Sequence, residues 1–236
     1  MTLPPYHWWR TVFFLIPAIA AYTIVLGLVS LAASAAGRPF FAHRCAQWWS
    51  RLILRTTGVR LERTGAPLPP PSESCIVVAN HASIYDIPIL FTAIPRQLRI
   101  MAKSTLGYVP FIGWHLRWSG HLLVNRARPG ASIFKRMQRM ARSGASLVVF
   151  PEGGRTSDGT PLPFKGGVFL LAIETGLPIV PVTIAGSRDV MPKGRLRTNP
   201  ATVRVIVHPA IPTAGRSRDE ARALATHVRA IVASAL

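Results

Sequence analysis

His81 and Asp86 are the first residues in the chain whose types and spacing could move a proton. They stand five residues apart in Asn80-His-Ala-Ser-Ile-Tyr-Asp86, directly behind the apolar run Cys75-Ile-Val-Val-Ala79. A tight turn into a helix would bring the carboxylate to one imidazole nitrogen, fixing the tautomer and steadying the imidazolium. The other nitrogen would then be free to act as a general base. Spacing alone does not separate that pair from a surface histidine beside a helix-start aspartate. Asp86 is nevertheless one of only nine acids in 236 residues.

Other stretches offer partners for such a base. Phe150-Pro-Glu-Gly-Gly-Arg155 follows an apolar run and places Glu152, Gly153 and Arg155 at a strand end. Glycine permits close backbone approach, and arginine can grip a phosphate through two parallel hydrogen bonds. Gly120-His-Leu-Leu-Val-Asn-Arg126 supplies a second arginine after a strand. No G-x-S-x-G elbow occurs, so a serine nucleophile is not expected, and Ser83 is read as shaping its loop. The two cysteines, Cys45 and Cys75, suggest neither a disulfide framework nor a zinc cluster.

Four blocks in order resemble the glycerolipid acyltransferase family that includes 1-acylglycerol-3-phosphate acyltransferase. They are Asn80 to Asp86 (N-H-x-x-x-x-D), Gly120 to Arg126, Phe150 to Arg155 (F-P-E-G-x-R) and Ile179-Val-Pro-Val182. Lys103 with Pro110-Phe-Ile-Gly113, and Pro163-Phe-Lys-Gly166, are lesser matches.

The resemblance implies that His81 deprotonates the free hydroxyl of 1-acylglycerol 3-phosphate while Asp86 orients it. The alkoxide would attack the thioester of acyl-CoA or acyl-carrier protein directly and give phosphatidic acid, with no metal and no cofactor beyond that co-substrate. By the same resemblance, Lys103, Arg126 and Arg155 would hold the acceptor phosphate, and Glu152 and Gly153 would belong to the acceptor site. Gly154, Asn125 and Thr105 stand where the family commonly has threonine, aspartate and an acid. Glycerol 3-phosphate or a lyso-aminolipid therefore stays open as the acceptor; a membrane-tethered thioesterase also stays open, because a base that deprotonates an alcohol can deprotonate water.

These residues need elements to position them. Candidate strands are Cys75 to Ala79, Leu98 to Ala102, His121 to Asn125, Ala145 to Phe150, Ile179 to Ile184 and Val203 to His208. Candidate helices run from Ile84 to Ala93, Ala131 to Ser143, Gly167 to Thr175 and Arg218 to Ala235, the last behind the capping pattern Ser217-Arg-Asp-Glu220. The alternation predicts an α/β domain with a mixed, largely parallel sheet flanked by helices, its functional residues in loops at strand ends. Residues 59–236 are read as that acyltransferase domain, with a proline-rich connector from Gly65 to Glu73.

Residues 1–58 are read as membrane-associating helices. Thr11 to Ala36 holds 26 residues without a charge, roughly 39 Å if helical and so longer than a bilayer's hydrocarbon core of roughly 30 Å. Pro17 and Gly27 interrupt it, so a span, a kinked or shallow insertion and a cleavable signal are all compatible. Phe41, Cys45, Trp48, Trp49 and Leu52 recur at helical spacing beside Arg44, Arg51 and Arg55. This fits an amphipathic interfacial helix or a core-packing one.

Basic residues follow the apolar stretch, which predicts a body at the cytoplasmic face of the cell membrane. The formal charge of +19, with 24 of 28 basic residues arginine, suits an anionic membrane surface and phosphate-bearing ligands. With 49% hydrophobic residues and tryptophans concentrated in the first half, the chain is not read as a nucleic-acid binder.

Overall fold

The computed structural model describes residues 6–109, 112–124, 132–142 and 144–236. Its centre is a seven-stranded sheet in the order β1-β7-β6-β2-β5-β3-β4. The strands are β1 (Arg60–Gly65), β2 (Ile76–Ala79), β3 (Leu98–Lys103), β4 (Leu122–Val124), β5 (Ser146–Val149), β6 (Ile179–Ala185) and β7 (Thr202–Val207). All neighbours are parallel except β6 and β7. Strands β2, β5 and β6 are buried along their whole length, as their unbroken apolar runs require of strands covered on both faces.

Alternate residues face opposite sides. Val77 and Ala79 join a core with α4 (Asp86–Ala93) and the inner face of α3 (Pro39–Thr57). Ile76 and Val78 join a second core with α6 (Ser132–Arg142), α7 (Gly167–Thr175) and α8 (Ala221–Ala233). The fold is thus the mixed, largely parallel α/β sheet flanked by helices.

Several elements differ from the sequence reading. Strand β1, Arg-Leu-Glu-Arg-Thr-Gly, was not expected, because its charges hide any apolar alternation. It is an exposed edge strand beside β7, where charge discourages pairing with another chain. The helix α5 (Ile112–Trp118) was likewise not anticipated. The strand expected from His121 to Asn125 begins at Leu122, and Asn125 lies outside the described residues, as do Ala131 and Ser143. The proline-rich connector is pinned: buried Arg96 donates to the carbonyls of Pro69, Pro70 and Glu73.

At the N-terminus, Tyr6–Ala35 is one helix, long and apolar enough to cross a membrane. It is made of α1 (Tyr6–Arg10), a π-helical turn (Thr11–Leu15) and α2 (Ile16–Ala35), so neither Pro17 nor Gly27 breaks it. The wide turn directly precedes Pro17 and absorbs the missing N–H.

One face of this helix is bound to the body along its length. Thr11 Oγ1 accepts the Thr198 N–H (2.9 Å), Thr23 Oγ1 accepts the Trp49 indole N–H (3.0 Å), and Ser30 Oγ meets His115 Nδ1 (2.8 Å). The other face exposes Phe13, Phe14, Ile24, Val25, Leu28 and Val29.

Helix α3 divides in the same way. Cys45, Ile53 and Leu54 are buried, whereas Phe40, Phe41, Trp48 and Leu52 are exposed beside Arg44, Arg51 and Arg55. Its stripe therefore serves packing on one side and leaves an apolar, arginine-bordered surface on the other.

Candidate active site

The C-terminal ends of β2, β5 and β6 bring the chemistry together. Asn80 closes β2 by a paired contact with β6: its Nδ2 donates to the Ile184 carbonyl (2.9 Å) and its Oδ1 accepts the Ile184 N–H (2.8 Å). The chain then turns through His81 to Tyr85 into α4, whose first residue is Asp86.

Asp86 Oδ2 gathers three donors: His81 Nδ1 at 2.8 Å, the Ala82 N–H at 2.8 Å and the Ser83 N–H at 2.9 Å. Asp86 is fully buried, while 17% of the His81 side chain is exposed. With Nδ1–H committed to the carboxylate, Nε2 carries the lone pair of the neutral ring. Ser83 Oγ donates to the Met191 carbonyl (2.9 Å) and accepts the Tyr85 N–H (3.3 Å), so it braces the turn.

The loop after β5 holds the same histidine from two further directions. Phe150 stacks on its ring, with centroids 4.2 Å apart and planes 19° from parallel. Glu152 is buried and accepts the His81 backbone N–H on Oε1 (2.6 Å) and the Leu162 N–H on Oε2 (2.9 Å). Burial pushes the Glu152 carboxyl up from its ordinary range, and those two N–H donors oppose the rise. Thr156 N–H returns to the His81 carbonyl (2.9 Å). The amides of His81, Ala82, Ser83 and Thr156 are all engaged, which removes them as donors to a developing oxyanion.

Of the other sequence candidates, Gly153, Arg155 and Lys103 fall at this end of the sheet in different degrees. Gly153 has φ +80°, the left-handed backbone that favours glycine, and the end of the flexible Lys165 side chain lies over it, 2.8 Å from where a Cβ would stand. Arg155 is partly exposed, and its carbonyl accepts Lys193 Nζ (2.8 Å). Lys103 ends β3, two strands from β2, with its side chain exposed. Arg126 lies outside the described residues.

A family model described as Acyltransferase matches residues 60–185, slightly more than half the chain. The chain belongs to this family. It is 31% identical over 216 residues, 84% of its length, to the chloroplastic 1-acyl-sn-glycerol-3-phosphate acyltransferase BAT2 of Brassica napus, of which it covers 60%. It is 34% identical over 175 residues, 73% of its length, to 1-acyl-sn-glycerol-3-phosphate acyltransferase alpha of Homo sapiens, of which it covers 62%. The chain thus spans about three-fifths of these curated relatives.

In fold it is similar to the crystal structure of the 1-acyl-sn-glycerophosphate (LPA) acyltransferase PlsC from Thermotoga maritima, with a TM-score of 0.82 at 24% identity. The match covers 95% of this chain and 92% of that one.

In this acyltransferase-family chain, sequence reasoning missed the parts that lie far apart in order. The stacking of Phe150 on His81 and the bond from Lys193 to Arg155 have no local pattern to announce them. The backbone role of Glu152 was equally hidden: a buried acid held by two N–H groups reads in sequence like a ligand-facing acid.

Proposed function

We propose that the protein transfers a fatty acyl group from an acyl thioester to the free hydroxyl of 1-acylglycerol 3-phosphate, giving phosphatidic acid. The observation that carries this reading is the His81–Asp86 pair, with Nδ1 bound to the carboxylate at 2.8 Å and Nε2 left as the base. The names of the relatives support the choice of acceptor. His81 Nε2 takes the hydroxyl proton as the oxygen attacks the thioester carbonyl. The imidazolium formed is steadied by Asp86, and it returns the proton to the thiolate that leaves. The reaction so written calls on no cofactor, and no acyl-enzyme forms.

Arg155, beside the base on the Thr156-anchored loop, is proposed to grip the acceptor phosphate, with Lys103 and Arg126 assisting. The exposed apolar face of the N-terminal helix and the Phe41–Trp48–Leu52 edge of α3 support attachment to a membrane, proposed to be the cytoplasmic face. Polar contacts tie the helix to the body from Thr11 to Ser30, which favours insertion alongside the body over a free-standing span.

The test uses the full chain in phospholipid vesicles with labelled acyl-CoA or acyl-carrier protein. Lysophosphatidic acid, glycerol 3-phosphate and a lyso-aminolipid are offered as acceptors. Transfer to lysophosphatidic acid is expected. Preference for another acceptor would move the substrate assignment, and thioester loss without transfer would make the protein a thioesterase. Arg155→Ala is expected to raise the acceptor KM by roughly 10- to 100-fold, the equivalent of one charge-assisted contact, with the donor KM little changed.

A further inference from the structure

An open groove of about 840 Å³ lies outside the catalytic loops, lined by Trp8, Asp189, Arg195, Leu196, Arg197 and Asn199 among others. It sits at the same end of the sheet as His81. Strand β6 ends there and antiparallel β7 begins there, so the connecting segment that carries Arg195 and Arg197 must lie at that end. Trp8 reaches the groove because Thr11 binds the Thr198 backbone and Arg10 donates to the Thr56 carbonyl (2.9 Å).

The groove is joined to the site on both sides of the base. The Met191 carbonyl accepts Ser83 Oγ, and Lys193 donates to the Arg155 carbonyl. Arg197 is held in place: its Nε donates to Asn199 Oδ1 (2.9 Å), and Asn199 is fixed to the Asp189 carbonyl (3.1 Å) and the Val190 carbonyl (2.8 Å).

We propose that this groove binds the phosphorylated nucleotide of acyl-CoA, with Arg195 and Arg197 on its phosphates and Trp8 against its base. The inference rests on the acyl-transfer reading above and names the donor. Guanidinium groups suit phosphate, an indole wall suits a planar base, and the volume is that of a small-molecule site rather than a flat protein-docking face. The pantetheine arm separates the nucleotide from the thioester by many bonds. A site one loop away from His81, not at it, is therefore what this donor demands. Asp189 is the acid in the lining, and it offers an acceptor to the exocyclic amine rather than a place for phosphate.

Calorimetry on the full chain in detergent, with adenosine 3′,5′-bisphosphate as the probe, tests the groove without relying on turnover. Wild type is expected to bind it, and the double variant R195A/R197A to lose at least about tenfold in affinity, with an unchanged melting temperature. Trp8→Ala should lose less. In the transfer assay the double variant should raise the KM for acyl-CoA by about tenfold or more. Its rate with acyl-pantetheine, which has no nucleotide, should stay at the wild-type value.

Unchanged bisphosphate affinity and unchanged acyl-CoA KM would overturn the proposal. So would an equal loss with acyl-pantetheine, or an effect seen only with acyl-carrier protein. Inorganic phosphate or lysophosphatidic acid competing as well as the bisphosphate would make the groove a general phosphate site and also overturn it. If wild type transfers from no donor, the acyl-transfer reading fails, and the calorimetry still judges the groove.

Discussion

His81 and the trio His43, His115 and His121 are the same side chain placed in opposite surroundings. His81 is partly open to solvent and faces the carboxylate of Asp86. His43 and His121 are buried and His115 half-buried between the N-terminal helices, α4 and α5, and their charged neighbour is a cation, Arg99. His115 and His121 lie 5.2 Å apart by ring centroid, and Phe91 touches both His43 and His121. Their polar partners are neutral: the hydroxyls of Ser30 and Ser119 for His115, and the Ile100 N–H for His121.

Burial first, and then Arg99, bring His43 and His115 down to about 4. Burial, with the neighbouring histidines and Arg99 behind it, holds His121 well below its ordinary value. Burial also lowers Arg99, to about 10. A carboxylate edge orients a histidine ring and leaves its second nitrogen open. A dry, cationic setting makes it a neutral packing group that refuses a proton.

The sharpest way to break this contrast is to remove each kind in turn. His81→Ala and Asp86→Asn should cut kcat by about 10²- to 10⁴-fold while the protein stays folded, because the first removes the base and the second misplaces its proton. His115→Asn should keep most activity and lose stability instead. A folded His115→Asn protein as inactive as His81→Ala would break the division between the two sets.

Acid should find the trio next. Between pH 6.5 and about 4 the unfolded chain binds protons that the native His43 and His115 do not. Stability therefore falls as pH drops through that window and levels off below it. The slope is up to about 1.4 kcal/mol per pH unit for each histidine. Denaturant midpoints measured from pH 7 to pH 4.5 should show the decline, and replacing His43 and His115 with leucine and asparagine should flatten it. An equal slope in wild type and variant would assign acid sensitivity elsewhere.

Glu152 lies between the two situations: an acid at His81, but bonded to its backbone and not its ring. Glu152→Gln keeps one acceptor and turns an amide NH₂ toward a backbone N–H, at a cost of about 1–3 kcal/mol. The expected result is a lower kcat and melting temperature with an unchanged acceptor KM. A raised acceptor KM at constant kcat would instead give Glu152 the direct substrate contact that the family resemblance implies.

Where the chain's order and its space coincide, the sequence was easy to read. Unbroken apolar runs marked β2, β5 and β6, and the five-residue step from His81 to Asp86 marked a turn that the structure closes at 2.8 Å. Reading failed where partners come from distant segments or where charge masks periodicity. Strand β1 looks like a solvated stretch because only β7 gives it a reason to be extended. His43, His115 and His121 are spread over 79 residues, and nothing in their local sequence says that three helices and a strand edge will gather them around Arg99. The groove at Arg195 and Arg197 depends on Trp8, almost the whole chain away.

The smallest effect separates a hydroxyl that serves packing from a carboxylate proposed to serve chemistry. Ser30 Oγ sits 2.8 Å from His115 Nδ1 and 3.4 Å from the Ala42 carbonyl, so it ties the N-terminal helix to α5 and α3 at one point. Ser30→Ala removes that tie, but Ser119 Oγ at 3.1 Å remains to satisfy the ring nitrogen. The cost should therefore be about 1 kcal/mol, the net worth of one hydrogen bond and not of a stranded buried group. That corresponds to a melting temperature lower by roughly 2–4 °C in a chain of this size, with kcat and both KM values unchanged. If Ser30→Ala altered kcat, the trio would be coupled to the His81 loop, and the neutral histidines would have a share in the chemistry that their surroundings argue against.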